Sequence, residues 1–212
     1  MKTVTDNFNK AFPNLASKSF TGTCYIDEHD NDNTDKFQRA VLTGLEGYVF
    51  PHELMGRASS FASSSGHKGV LALDCDQVVL FEHNGQKYIL LCELKSSYTC
   101  DNIAHAKDQI VGSSVKMRSL LSFLQGFDKS EYKIIGLIVS FEPTEEQITN
   151  ITKDEGPKSA FAIRLQADKK YIMPAAKTNR FFKPLEVGDI DLYHVAVPGR
   201  KTTYTIDIST LI

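Results

Sequence analysis

Asp74-Cys-Asp-Gln-Val-Val-Leu-Phe81 and Tyr88-Ile-Leu-Leu-Cys-Glu-Leu-Lys95, separated by Glu82-His-Asn-Gly-Gln-Lys87, decide how this chain is read. Both contain apolar runs of strand length. Asn84-Gly85 between them is the strongest short-range signal for a tight antiparallel hairpin. An acid opens the first run. Glu93 and Lys95 close the second, two residues apart and therefore on one side of a strand. Folding the hairpin brings Asp74 or Asp76 near Glu93, with Lys95 beside them. Two carboxylates and an amine at one spot form a candidate site for a divalent metal and a phosphodiester.

Downstream, Ile103, Ala106, Ile110, Val115, Met117, Leu120, Leu121 and Leu124 predict a long helix over 101–125, capped by Thr99 or Asp101. Tyr132-Lys-Ile-Ile-Gly-Leu-Ile-Val-Ser-Phe141 is nearly continuous and apolar. Such a run fits a central parallel strand reached by a helical crossover. Upstream, Phe37, Val41, Leu42, Leu45 and Val49 fit helical spacing over 35–50, a helix limited by Pro51, and a further strand is expected at 70–73. Residues 1–36 read as polar and irregular. Their acidic stretch 27–35 lacks the glycine and closing glutamate of a calcium loop and reads as solvated. The serine-rich stretch 59–68 reads as a loop.

Beyond 142, a short helix capped by Thr144 is expected, then strands at 160–165, 191–197 and 202–208. Pro198-Gly-Arg-Lys201 is read as a hairpin turn between the last two. The expected fold class is α/β: a mixed central β-sheet flanked by helices with extra C-terminal strands. Residues 1–212 form one domain, with a core at about 37–141 and a β-rich extension at about 142–212.

A length of 212 residues suits one well-buried core. A net charge of −2 gives no support for a broad nucleic-acid-binding surface, so such contact would need a local patch or a metal. The basic groups His67-Lys68, Lys177 to Arg180 and Arg200-Lys201 accordingly read as ordinary solvated surface. Cys24, Cys75, Cys92 and Cys100 form no C-x-x-C pair, which argues against zinc. Free thiols of this kind fit a reducing cytoplasm. The N-terminus carries no apolar signal-like run, and no stretch approaches 18 apolar residues, so neither secretion nor membrane contact is expected.

Phosphodiester hydrolysis needs an activated water, neutralised phosphate charge and a stabilised leaving oxygen. Mg²⁺ supplies much of this while bound through one or two carboxylates plus waters and substrate phosphate. Asp76 and Glu93 suit that role, with the backbone carbonyl of Leu94 as a further ligand and Asp74 as the alternative acid. Lys95 would orient or deprotonate the water, or pair with the phosphate. On the following helix His105, Gln109 and Lys116 share one polar stripe that can border the cleft and touch substrate phosphates.

Asp76, followed by Glu93-Leu-Lys95 at the end of the next strand, resembles the PD-(D/E)xK nuclease superfamily. The expected order of helix, three antiparallel strands, helix and strand over about 37–141 is similar to its restriction-endonuclease-like core. The resemblance implies cleavage of DNA, less often RNA, with Mg²⁺ or Mn²⁺. It favours Asp76 over Asp74, because Asp76 immediately precedes the apolar run. It also implies an acid on the first helix, where Glu46 or Glu53 is the candidate. Gln109 matches the helix glutamine of exonuclease-like branches. Cys75 stands where the family motif has proline, and Ser113 where those branches carry tyrosine. The alternative reading is an inactive nuclease-like fold serving as a binding or assembly subunit. Its late strands would then meet a partner subunit or a second copy.

Overall fold

The computed structural model describes residues 1–28, 37–63, 70–173 and 189–212. The chain is α/β, built on one mixed eight-stranded sheet flanked by helices. Helix α1 (Lys2–Ala11) leads into β1 (Lys18–Asp27) and β2 (Arg39–Val49), and α2 spans Glu53–Ser63. The hairpin β3 (Gln77–His83) and β4 (Gln86–Lys95) follows, then α3 (Cys100–Ser122) and β5 (Tyr132–Phe141). The remainder comprises α4 (Glu145–Lys153), α5 (Pro157–Asp168), β6 (Lys170–Met173), β7 (Ile190–Val197) and β8 (Thr203–Asp207).

The sheet order is β1-β2-β3-β4-β5-β7-β6, with β8 also paired to β2. The β3–β4 hairpin forms as its sequence predicts, with Asn84 and Gly85 at φ of 50° and 75° as a type I′ turn requires. Helix α3 then crosses over, and β5 lies parallel to β4 with β7 on its other side. The Thr99 side chain caps α3 by accepting from the Asn102 N–H at 3.2 Å. Gly136 lets α3 approach closely, since a Cβ there would stand 2.8 Å from Ile110 Cγ2 and 2.4 Å from Leu192 Cδ2. Thr144 and Gln147 form a complete capping box at the start of α4.

Two cores sandwich the sheet. One holds Phe8, Leu54, Met55, Ile103, Ile110 and Leu165, so the helices cover that face. On the other face, Cys24, Ile26, Phe37, Leu42 and Ile206 pack onto Val79, Leu90, Cys92 and Val139. Strands β1 and β2 therefore curl back over the sheet. The start of β2 is tied to the end of β4, where the Phe37 N–H donates to Ser96 Oγ at 3.1 Å. Among the described residues, no helix is long and apolar enough to cross a membrane.

Several local expectations are corrected. The expected helix at 35–50 is strand β2. Ala40 and Leu42 are buried at a spacing of two, as are Leu45 and Gly47, but Gly44 (φ 78°) is an extra residue at a β-bulge between them. That insertion shifts the phase and makes an alternating pattern look helical. The stretch read as irregular contains α1 and β1, and 70–73 holds a 3-10 turn at Val70–Ala72 in place of a strand. Part of the serine-rich stretch is the end of α2; residues 64–69, including His67 and Lys68, lie outside the described residues. The expected strand at 160–165 is α5, started by Pro157 after Gly156. Strands β7 and β8 form no hairpin, because β8 pairs in parallel with β2. The basic run from Lys177 to Arg180 and most of the acidic stretch also lie outside the described residues.

Candidate active site

At the open end of the β3–β4 hairpin, each strand's backbone holds the other strand's acid. The Asp76 N–H donates to Glu93 Oε2 at 3.2 Å, and the Leu94 N–H donates to Asp76 Oδ2 at 2.6 Å. This continues the ladder one step past the Gln77–Cys92 pair. It places both carboxylates side by side on the face that α3 covers. Glu93 is 1% exposed and Asp76 9%. Lys95, two residues on and more accessible, pairs with Glu93 Oε1.

Burial is the main cause pushing the Asp76 carboxyl well above the usual carboxylate range, followed by repulsion from Glu93. Glu93 is raised as well, chiefly by burial, with Lys95 pulling the other way. Glu28, just beyond β1, pushes both upward. Two acids crowded together in a dry setting hold protons that would otherwise leave. A cation placed between them would release those protons.

A clamp from α3 fixes the approach to Asp76. Gln109 Nε2 donates to the Asp74 carbonyl at 2.8 Å, and the Cys75 N–H donates to Ser113 Oγ at 2.8 Å. Lys116 Nζ donates to the Leu73 carbonyl at 2.8 Å and pairs with the Asp74 carboxylate. These three side chains sit at successive helical turns, so one stripe of α3 grips residues 73–75. From the side of β2, His52 Nδ1 lies 3.2 Å from the Asp76 carbonyl oxygen.

The expected residues divide cleanly. Asp76, Glu93 and Lys95 come together. Asp74 does not join them: residues 73–75 are not strand, so the two-residue period that would align it with Asp76 does not operate, and its carboxylate serves Lys116. Leu94 takes part through its N–H. Gln109 and Lys116 hold the acid loop: Gln109 through Nε2 on the Asp74 carbonyl, Lys116 through a buried, engaged ammonium. His105 stays exposed, close enough to Lys95 for that charge, after burial, to lower its pKa. Glu46 is on β2, paired with Thr21 and adjacent to Gly47, which opposes Phe81 near the far end of β3. That puts it about five residues, or roughly 17 Å, along the sheet from Asp76. Glu53 opens α2, exposed, in the groove that His52 and Gln77 line. Sequence reasoning missed Glu28, His52 and Ser113, because each reaches the site through the curl of β1–β2 or the irregular path of 73–75.

No family model, curated protein or solved structure matches the chain. What the site can do therefore rests on its own chemistry. Asp76 and Glu93 offer hard oxygen donors suited to Mg²⁺ or Mn²⁺. Among the described residues, no three His, Cys, Asp or Glu side chains gather into a ready metal cage. Such a pair matches a Mg²⁺ ion that keeps several waters and takes substrate oxygens to complete its shell.

Proposed function

We propose that the chain is a metal-dependent nuclease of the PD-(D/E)xK type, cleaving phosphodiesters in DNA in preference to RNA. The observation that carries this reading is the backbone-locked pair of buried carboxylates, Asp76 and Glu93, with Lys95 on Glu93. The antiparallel strands β2, β3 and β4, followed by α3 and parallel β5, support it by their order. A bound Mg²⁺ or Mn²⁺ would neutralise phosphate charge and acidify a water. Asp76 and Glu93 would hold the ion. Lys95 would direct its ammonium at the attacking water or a phosphate oxygen, with Glu93 fixing its orientation. Gln109, Ser113 and Lys116 keep Asp76 in register, and His105 borders the approach to Lys95. The free cysteines fit a reducing compartment, and the cytoplasm is the proposed location.

The test is incubation of the parent, Glu93→Ala and Lys95→Ala proteins with linear DNA, circular DNA and RNA in Mg²⁺ or Mn²⁺. Metal-dependent cleavage that falls by about a thousandfold or more in both variants supports the nuclease. Absence of metal-dependent cleavage on every substrate refutes it and leaves the binding or assembly subunit as the reading.

A further inference from the structure

The strand that carries Glu93 and ends at Lys95 begins at a second, oppositely charged place. Around the N-terminal ends of β4, β5 and β7 lies a cavity of about 530 Å³, within the size range of small-molecule sites. Tyr88 on β4, beside Lys133, and Tyr193 on β7, beside Leu137 four residues further along, line it from the two sides of β5, both on the face of the curled hairpin. Round the end of β5, Arg118 from α3, Tyr132 and the lysines Lys129 and Lys133 complete the basic and aromatic wall.

Three observations favour an anionic ligand. The guanidinium of Arg118 has no ion pair or hydrogen bond among the described residues, and burial pulls its pKa down. A partly desolvated cation left in this state gains from any anion that reaches it. Tyr132 is 8% exposed, and its hydroxyl is buried with no hydrogen-bond partner among the described residues. Asp191 brings no free negative charge, because Lys170 Nζ pairs with it at 3.1 Å while donating to Tyr193 Oη at 2.8 Å. Neither Arg118 nor Lys133 has an ion pair among the described residues, and Asp189 is the other acidic side chain of the described lining.

We propose that this cavity binds a nucleotide unit, its phosphate on Arg118 and Lys133 and its base against Tyr88 and Tyr193. The cations call for a phosphate, and tyrosine faces take any base by stacking. Lys170 over the Tyr193 ring, 4.8 Å from its centroid, holds that ring in place. A free mononucleotide and the end of a single strand present the same unit. The site stands independently of whether the opposite end of the strands cuts phosphodiesters.

The experiment is calorimetric titration of the full chain, with chelator present, by a nucleoside monophosphate, a short single-stranded oligonucleotide and inorganic phosphate. A nucleotide-bearing ligand should bind more tightly than inorganic phosphate. Arg118→Gln and Lys133→Gln should each weaken its binding about tenfold. Tyr88→Leu should weaken nucleotide binding while leaving inorganic phosphate unaffected. Thermal melts check that each variant is folded, and Lys133, exposed on its strand, is the substitution least tied to the core. Tighter binding of the oligonucleotide identifies a strand; equal or tighter binding of the mononucleotide identifies a free nucleotide. The proposal is overturned if neither binds, if inorganic phosphate binds equally well, or if folded Lys133→Gln binds undiminished.

Discussion

Strands β4 and β5 carry two charged ends that are unbalanced in opposite senses. At the C-terminal end of β4, two buried carboxylates stand beside one lysine, Lys95, which pairs with Glu93. At its N-terminal end, Arg118 and Lys133 have no anionic partner among the described residues. The acid end is shut in by α3 and interlocked by backbone N–H groups, whereas the basic end opens into a cavity. The ligands proposed for the two ends are accordingly of opposite sign: a cation at the acid end, a phosphate at the basic end. A single sheet thereby separates a candidate catalytic centre from a candidate binding cavity by about 17 Å of strand.

The sharpest way to break this contrast is at the acid end, where Glu93→Ala should reduce cleavage by about a thousandfold or more. Next in size is a comparison of two lysines. Lys116→Met removes the partner of Asp74 and the donor to Leu73, and should cost about 2 kcal/mol in urea denaturation, with part recovered in Lys116→Met/Asp74→Asn. Lys133→Gln, by contrast, should stay within about 0.5 kcal/mol of the parent. Equal costs would erase the distinction between an engaged and a waiting cation.

A pH series sharpens the acid end further. Asp76 and Glu93 are raised in the folded protein, so above the ordinary carboxylate range the folded chain keeps protons that the unfolded chain has lost. Raising pH then favours the unfolded state. The metal-free protein should melt lower at pH 7 than at pH 5, with the difference largely removed in Asp76→Asn and offset by added Mn²⁺. A melting temperature that rises over that interval only because of this pair would contradict the electrostatic description. The smallest effect belongs to His105→Ala, which should raise KM for nucleic acid about threefold with kcat little changed, as loss of one peripheral contact does.

The parts of the fold that could be read directly are those whose burial follows one uninterrupted period. Strands β3, β4 and β5 and helix α3 combine such runs with local punctuation: the Asn84-Gly85 turn and the Thr99 cap. Strand β2 was illegible because the bulge at Gly44 breaks its alternation, and β1 because only Cys24 and Ile26 of its residues are buried. Helix α5 buries just Ser159, Ala162 and Leu165, too few to set a period against its other apolar residues. In the site, Asp76, Glu93 and Lys95 were legible because hairpin register and two-residue spacing suffice to bring them together. Glu28 was not, since its approach depends on the curl of β1–β2. The polar stripe of α3 was legible as a stripe, but its contacts were not: Gln109 and Lys116 grip 73–74, whose irregular path no periodicity predicts.

Direct metal binding is the closest test of the cation site proposed at Asp76 and Glu93. Mn²⁺ titration of the parent and Glu93→Ala proteins, followed by calorimetry in buffers of different ionisation enthalpy, reads both affinity and proton release. The expected result is binding that tightens as pH rises, releases protons and is lost in Glu93→Ala. Binding that is absent in the parent, or identical in the two proteins, would contradict it.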